Sequence, residues 1–419
     1  MMDRKNRKPL VVLAGGGTGG HLYPMLSIAR ELRARSPGVR LAFFSTQREI
    51  DRQIVNAVFP SGEPNVEQVP QEVRPMPRTV RGWPAFLKSW IASVRSCMRC
   101  FRLDQPDLVI GSGGFGCAPP IRAAARLGIP RVLLNPDAVP GFANRRLAKQ
   151  ADAVFAQWPV TKAHLPKKAT VHVTGCPIRP EFRCASRDAG LRKFELDESR
   201  QTLLITGASQ GARSINLSII AILDQLTANS AWQYLHLTGR DDAATVRQAY
   251  RKHEARATVI EYTEFMPHAL AAADLVVSRA GASTLAEITA MGVPSVLMPY
   301  PYHRDRHQWA NAAALADAGA ATIVEDKVRP DLNAEPLAET LARLMKDNEA
   351  LAAMGTQATR LGRPNATTDI VTQVMELANI TSAPRDRGAD CQGVRDDWRE
   401  SGSRVDDRNG AVASGPLPG

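Results

Sequence analysis

The sequence predicts an α/β protein built as two domains of similar plan, and three observations predict it. Short apolar, β-branched runs recur along the chain, each followed by a turn and then by helical periodicity. That alternation is the pattern of parallel sheets flanked by helices. Several runs end in glycine-rich turns, and the whole series occurs twice with a Gly- and Pro-bearing break between the copies.

Taken in order, the first series reads PLVVLAGGG, VRLAFFST, PDLVIGSGG, RVLLN, ADAVFA and VHVTGC. The second reads QTLLITGASQ, WQYLHLTGR, TVIEY, ADLVVSRAGA, PSVLMPY and ATIVED. The break falls near residues 175–187, where GCPIRPEF has the composition of a linker. A helical run, NAEPLAETLARLMKDNEALAAMGTQATRL, follows the last strand, and an amphipathic helix spans about residues 366–377. Residues 384–419 carry almost no apolar side chain and are expected to be a disordered tail.

The chain has 419 residues, 44% hydrophobic and 23% charged, which suffices for two cores and excludes a wholly disordered protein. Its net charge of +11 is uneven: +16 over residues 1–180, −4 over 181–383 and −1 over 384–419. The first half is therefore expected to meet an anionic partner, a nucleic acid or a membrane surface with phosphate head groups. No apolar run reaches the roughly 18 to 20 residues that span a bilayer, and MMDRKNRK leads straight into a strand and glycine turn without a cleavage site. A cytoplasmic protein that touches a membrane is expected. Six irregularly spaced cysteines make no disulfide framework. Cys97 and Cys100 form a lone CxxC inside a helical pattern and read as helix-face residues, since a structural zinc needs four ligands.

Four glycine turns carry the chemistry. Gly15 to Gly20 and His21 follow the first strand, with a helix expected to start near Pro24; glycines let backbone N–H groups and a helix N-terminus approach an anion. The pattern fits G-x-G-x-x-G, but Ser45, Thr46 and Gln47 stand where a dinucleotide fold places its ribose-binding acid, which disfavours a nicotinamide oxidoreductase. His21 is placed to act as a base or a phosphate donor. Gly111 to Gly116 form a second turn facing the same crevice. Thr206 to Arg213 form the matching turn of the second domain, with Ser209 opening a helix. In Ser278 to Glu287, the last residue lies one to two turns inside a helix, where a carboxylate can accept both hydroxyls of a ribose; the plain alternative is a surface acid. The loop from Tyr300 to Asn311 is dense in polar side chains that can read a sugar.

Together AGGGTGGHLYP, GSGGFG, DAVPGFANRRLA, GCPIR, GASQGARSIN, SRAGASTLAEI and HRDRHQWANA resemble, in order and over about residues 9–380, the MurG family of glycosyltransferase family 28. These are the peripheral-membrane N-acetylglucosaminyltransferases of peptidoglycan synthesis. The resemblance implies a GT-B fold: two Rossmann-like domains with parallel sheets facing an inter-domain cleft. It implies an acceptor-binding, membrane-facing domain at 1–178, a UDP-GlcNAc-binding domain at 179–362, and a helix at 363–383 that returns to the first domain. Donor contacts carry over to Thr18, Gly19, Gly20, Arg179, Ser209, Gln210, Tyr262, Thr263, Ala282, Ser283, Thr284, Glu287, His307 and Gln308. Acceptor contacts carry over to Gly17, Gly113, Gly114, Phe115 and Asn135. One departure stands out: the family's His-Glu-Gln-Asn before AVPG is Leu134-Asn135-Pro136-Asp137 here. The base is therefore His21 or Asp137. A smaller departure is Cys176 in place of Asn.

The implied reaction moves GlcNAc, with inversion, from UDP-GlcNAc to the C4 hydroxyl of MurNAc in undecaprenyl-pyrophosphoryl-MurNAc-pentapeptide (lipid I), giving lipid II. No metal or other cofactor is expected, because helix N-termini and Arg179 can stabilise the leaving UDP. Between Arg74 and Leu103 a basic amphipathic pattern places Trp83, Phe86, Lys88 and Trp90 to meet anionic lipid while part of the stripe packs inside. The expected partners are UDP-GlcNAc, lipid I, the cytoplasmic face of the inner membrane and cell-wall synthesis or division proteins, with no nucleic acid. The alternatives are a UDP-GlcNAc 2-epimerase-like enzyme, another GT-B glycolipid glycosyltransferase, and a noncatalytic nucleic-acid or lipid-binding protein.

Overall fold

Strands of five or six buried, largely β-branched residues, each closed by glycine or a small polar residue, are suited to the centre of a parallel sheet. The computed structural model describes residues 7–16, 19–77, 79–207, 211–302 and 306–383, and it contains two such sheets. The first part runs β1 (Leu10–Ala14), α1 (Gly19–Arg35), β2 (Arg40–Thr46), α2 (Glu49–Asn56), β3 (Val66–Gln71), α3 (Trp83–Leu103), β4 (Leu108–Gly111), α4 (Ala118–Leu127), β5 (Arg131–Asn135), α5 (Phe142–Leu147), β6 (Ala153–Ala156) and β7 (Val171–Val173). The second runs α6 (Arg187–Lys193), β8 (Gln201–Thr206), α7 (Arg213–Ala221), α8 (Leu223–Thr227), β9 (Trp232–Leu237), α9 (Ala243–Lys252), β10 (Ala257–Ile260), α10 (Met266–Ala272), β11 (Leu275–Ser278), α11 (Ala282–Met291), β12 (Ser295–Leu297), α12 (His307–Ala316) and β13 (Ala321–Ile323). Three helices close it: α13 (Pro330–Leu344), α14 (Asn348–Leu361) and α15 (Ala366–Ala378).

Every strand pair is parallel, in the orders β3-β2-β1-β4-β5-β6-β7 and β10-β9-β8-β11-β12-β13. The strand order reverses at β1/β4 and at β8/β11, and in open α/β sheets ligands bind beyond the carboxyl ends of the strands at such points. α15 packs back on the first sheet: Ile370, Val371, Val374 and Met375 share a core with Val11, Leu13 and Leu22. Thr367 Oγ1 donates to the Ile178 carbonyl at 2.7 Å and Arg35 donates to Thr372 at 2.6 Å, tying the helix in place.

The structure corrects three readings of the sequence. α1 begins at Gly19 and carries Pro24 inside it, so His21 is in the first helical turn and not on a loop before the helix. Proline lacks only the N–H that would bond the Gly20 carbonyl, at the frayed start of the helix. The edge strand β3, VEQVPQ, was not anticipated, because its polar residues and Pro70 break the strand signal; an edge tolerates both. The long helical run is two helices, separated where Asp347 caps α14 by accepting the Ala350 N–H at 2.8 Å.

Candidate active site

The four glycine turns predicted from the sequence follow β1, β4, β8 and β11, the two strand pairs where the order reverses. Register brings the turns of each pair side by side: Ala14 pairs with Gly111, and Ser278 with Thr206. Of the first turn, Gly17 and Thr18 lie outside the described residues, as do Ser209 and Gln210 of the third. A cleft of about 1000 Å³ opens from the first pair toward α11 and α12, and its lining includes Gly20, His21, Gly113, Asp137, Ser283 and His307.

His21 stands between the two glycine turns of the first sheet. A Cβ on Gly113 would lie 3.3 Å from His21 Cε1, and one on Gly114 3.2 Å from the Gly16 carbonyl and 3.4 Å from His21 Cδ2. Both glycines have φ of +97° and +72°, so only glycine brings this backbone so close to the ring. His21 Nδ1 is buried with no hydrogen-bond partner among the described residues. Burial lowers the proton affinity of the imidazole below the ordinary histidine value; the Asp137 carboxylate opposes this most, with the Ser112 backbone and Asp51 in the same direction and His307 against them. The result is a neutral imidazole at neutral pH in the lining of the cleft, with its Nδ1 buried.

Asp51 is a functional candidate that the sequence reading missed. The dinucleotide-type acid was sought at Ser45 to Gln47 and is absent there, yet Asp51, in the first turn of α2, returns a fully buried carboxylate to that place. Its Oδ2 accepts the Thr46 hydroxyl at 2.5 Å and the Thr46 N–H at 3.3 Å. A Cβ on Gly16, where φ is +123°, would meet the same oxygen at 2.4 Å. The carboxylate therefore packs against the first glycine turn. The available signal was an acid five residues after the strand end.

Asp137 and Asn135 are held internally. Asn311 of α12 donates to Asp137 Oδ1 at 2.9 Å and accepts the Ala138 N–H at 2.7 Å, clipping the loop after β5 to the second sheet's helix. Asn135 donates to the Asp137 carbonyl at 2.7 Å and accepts from Asn144 at 3.0 Å. The amide expected to contact an acceptor belongs to the cleft lining and also shapes the loop that presents Asp137; it closes β5 and is only 2% exposed. Leu134 beside it belongs to the core.

On the opposite wall, α11 starts at Ala282, so Ala282, Ser283 and Thr284 form its first turn with N–H groups that have no helical acceptor. Glu287 sits on the next turn, half-buried; burial pushes its carboxyl up to about 7, against the pull of the Arg179 guanidinium. Arg179 donates to the Glu264 carbonyl at 3.1 Å and lies over the Phe182 ring. Tyr262 is 57% exposed beside this group, and Tyr23 reaches the same field from α1, since both phenols are raised by burial and influenced by Arg179 and Glu287. The Thr263 hydroxyl accepts the Phe265 N–H at 3.0 Å and so shapes the entry to α10. His307 and Gln308 open α12, and Gln308 Oε1 accepts the Tyr300 N–H at 2.9 Å.

α3 divides into two halves. Val94, Cys97 and Phe101 are in the core, with the Cys97 thiol donating to Gln71 Oε1 at 3.1 Å, whereas Trp83, Phe86, Leu87 and Trp90 line the cleft. Lys88 is exposed on the same half, and Phe115, in the second glycine turn, also faces the cleft. No described helix is long and apolar enough to cross a membrane.

The glycosyltransferase family 28 N-terminal domain matches residues 11–156, and the family's C-terminal domain matches residues 202–373. The chain belongs to glycosyltransferase family 28. A relative from Desulforamulus reducens, named UDP-N-acetylglucosamine--N-acetylmuramyl-(pentapeptide) pyrophosphoryl-undecaprenol N-acetylglucosamine transferase, is 36% identical over 87% of this chain and 98% of its own length. The crystal structure of Acinetobacter baumannii MurG superposes with a TM-score of 0.71 at 27% identity, covering 88% of this chain and 99% of that one. A putative UDP-N-acetylglucosamine 2-epimerase from Listeria monocytogenes reaches 0.62 at 16% identity over 90% of this chain and 99% of its own, a likeness of fold alone. Within this family 28 chain the two Rossmann-like halves and their facing cleft make the GT-B arrangement that the motifs imply. Cys176, where the family pattern has Asn, is buried, and burial drives its thiol well up.

Proposed function

We propose that this family 28 enzyme transfers GlcNAc from UDP-GlcNAc to the C4 hydroxyl of MurNAc in lipid I, giving lipid II at the cytoplasmic face of the membrane. The observation that carries the reading is the pairing of glycine turns at two facing switch points with His21 between those of one side. The name of the Desulforamulus reducens relative supports the substrates. The donor lies along α11, with Glu287 on its ribose hydroxyls, Tyr262 beside its base and the first turn of α11 with Arg179 on its diphosphate. The acceptor enters from the first sheet. Its hydroxyl oxygen attacks the anomeric carbon from the face opposite UDP, the C1–O bond to phosphate breaks, and the proton passes to His21. The product is a β linkage. Asp137 raises the proton affinity of His21, and helix N–H groups with Arg179 receive the charge on the leaving UDP without a metal.

Radiolabelled UDP-GlcNAc with a lipid I analogue tests this in buffer containing EDTA. Wild type is expected to form labelled lipid, and His21→Ala to lower kcat by at least about 100-fold with donor Kd little changed. Unchanged turnover removes His21 as the base. UDP-ManNAc formed without acceptor would instead favour an epimerase.

A further inference from the structure

We infer that the apolar part of the cleft holds the first isoprene units of the acceptor's prenyl chain, so that the tail is recognised by the protein itself and not only dissolved in the bilayer. This rests on the proposed lipid-linked acceptor. Trp83, Phe86, Leu87 and Trp90 are spaced i, i+3, i+4 and i+7 on the first two turns of α3, one continuous apolar face. Only its Trp90 end packs against the core: Trp83 and Leu87 remain 40% and 47% exposed, while Val94, Cys97 and Phe101 on the later turns are buried. The aromatic rings are already ordered against one another, Trp83 and Phe86 edge-on at 5.6 Å and Phe86 and Trp90 stacked at 6.4 Å.

The face does not form a separate surface patch. It lines the same cleft as His21 and the second glycine turn, and Phe142, 56% exposed at the start of α5, lines it as well. Arg122 and Arg146 belong to the same lining. One cavity thus contains the three chemistries of a sugar-diphosphate-prenol: polar groups around a base, two guanidiniums for a diphosphate, and an aromatic and aliphatic wall for hydrocarbon. Its volume of about 1000 Å³ is at the upper end of small-molecule sites, which leaves space beyond a sugar and a diphosphate. A rigid, preformed apolar wall binds a chain with little ordering of its own side chains.

The test compares two acceptors in vesicle-free, detergent-free solution: a MurNAc-peptide diphosphate bearing a prenyl chain of four isoprene units, and the same diphosphate bearing only methyl. Wild type is expected to turn over the prenyl acceptor with kcat/KM at least about tenfold higher. Trp90→Ala and, on α5, Phe142→Ala are each expected to erase most of that preference while leaving kcat/KM for the methyl acceptor within about twofold. Equal kcat/KM for the two acceptors in wild type, a preference that survives both substitutions, or one that appears only when vesicles are added overturns the inference and leaves sugar transfer intact. Turnover of neither acceptor by wild type overturns the transfer reading and this inference with it. A variant that loses the methyl acceptor as well is replaced by Leu87→Asn, and loss of both acceptors in all three variants counts against a tail-specific wall.

Discussion

Replacing Glu287 with glutamine is expected to stabilise the free protein above neutral pH and to weaken the donor. Burial on α11 moves this carboxyl from an ordinary 4.5 up to about 7. At about 1.4 kcal/mol per pH unit, keeping the anion in the folded cleft costs about 3 kcal/mol at pH values above that midpoint. A raised native pKa means the folded chain binds the proton more tightly than the unfolded one. Stability is therefore highest below the unfolded value, declines as pH rises from about 4.5 to about 7, and is lowest above that window. Glutamine keeps the shape and removes the charge. Urea unfolding of ligand-free protein should give a variant more stable by about 2 to 3 kcal/mol at about pH 8.5 and nearly equal to wild type at about pH 4.5. Calorimetry should show donor Kd rising at least about tenfold, because an amide NH₂ cannot accept a ribose hydroxyl. An equal stability difference at both pH values, or a variant less stable at the higher one, would refute the assignment of the cost to a buried charge.

Four further outcomes are expected. Because burial lowers His21, the acid limb of kcat/KM for the acceptor, measured at saturating donor so that Glu287 is already engaged, should fall below the ordinary histidine value of about 6.5; a limb above it excludes this imidazole as the base. Asp51→Asn weakens the carboxylate's grip on Thr46 and the glycine turn, and kcat should drop at least about tenfold with the circular dichroism spectrum unchanged, whereas wild-type kcat would show that the turn needs no anion. Arg279→Ala leaves Asp326, whose side chain is fully buried, without its 2.6 Å partner and should cost about 3 to 5 kcal/mol in chemical denaturation; a loss under about 1 kcal/mol would mean water replaces the guanidinium. Ile370→Ala empties a fully buried site where α15 meets the first sheet and should cost about 2 to 5 kcal/mol, with a smaller loss showing that α15 adds little to that core.

Much of the fold was legible because its signals are local. Buried strands such as LVVLA and LVVS announce themselves by β-branched apolar content, and a glycine or small polar residue marks each end. Once the strands are ordered, the glycine turns fall at the switch points. What the sequence concealed depends on distant neighbours. β3 is an edge strand with Glu67 and Pro70 and carries no pattern. α1 starts on Gly19 and Gly20, poor helix formers, in a turn that Asp51 and Ser112 press into place. Asn311 meets Asp137 across 174 residues, a contact no short window contains. The apolar wall of α3 is readable as a stripe, but only the structure divides it into a half that joins the core and a half that lines the cleft.

The charge asymmetry also takes a sharper form. Residues 1–180 carry +16, yet the titratable groups that raise the proton affinity of His21 are two carboxylates, Asp137 and Asp51. The cations are not among the groups that shift it: Arg122 and Arg146 belong to the same cleft lining, and Lys88 and Arg95 are exposed on α3. This segregation has a chemical reason. A base that must take a hydroxyl proton near neutral pH loses strength when cations crowd it, and burial already lowers this one. If His21 is the proposed base, carboxylates as its charged neighbours let arginines in the same cleft attract a diphosphate without weakening it. In the proposed reaction a diphosphate bound in this cleft would add negative charge and raise the proton affinity of His21 as the acceptor hydroxyl arrives.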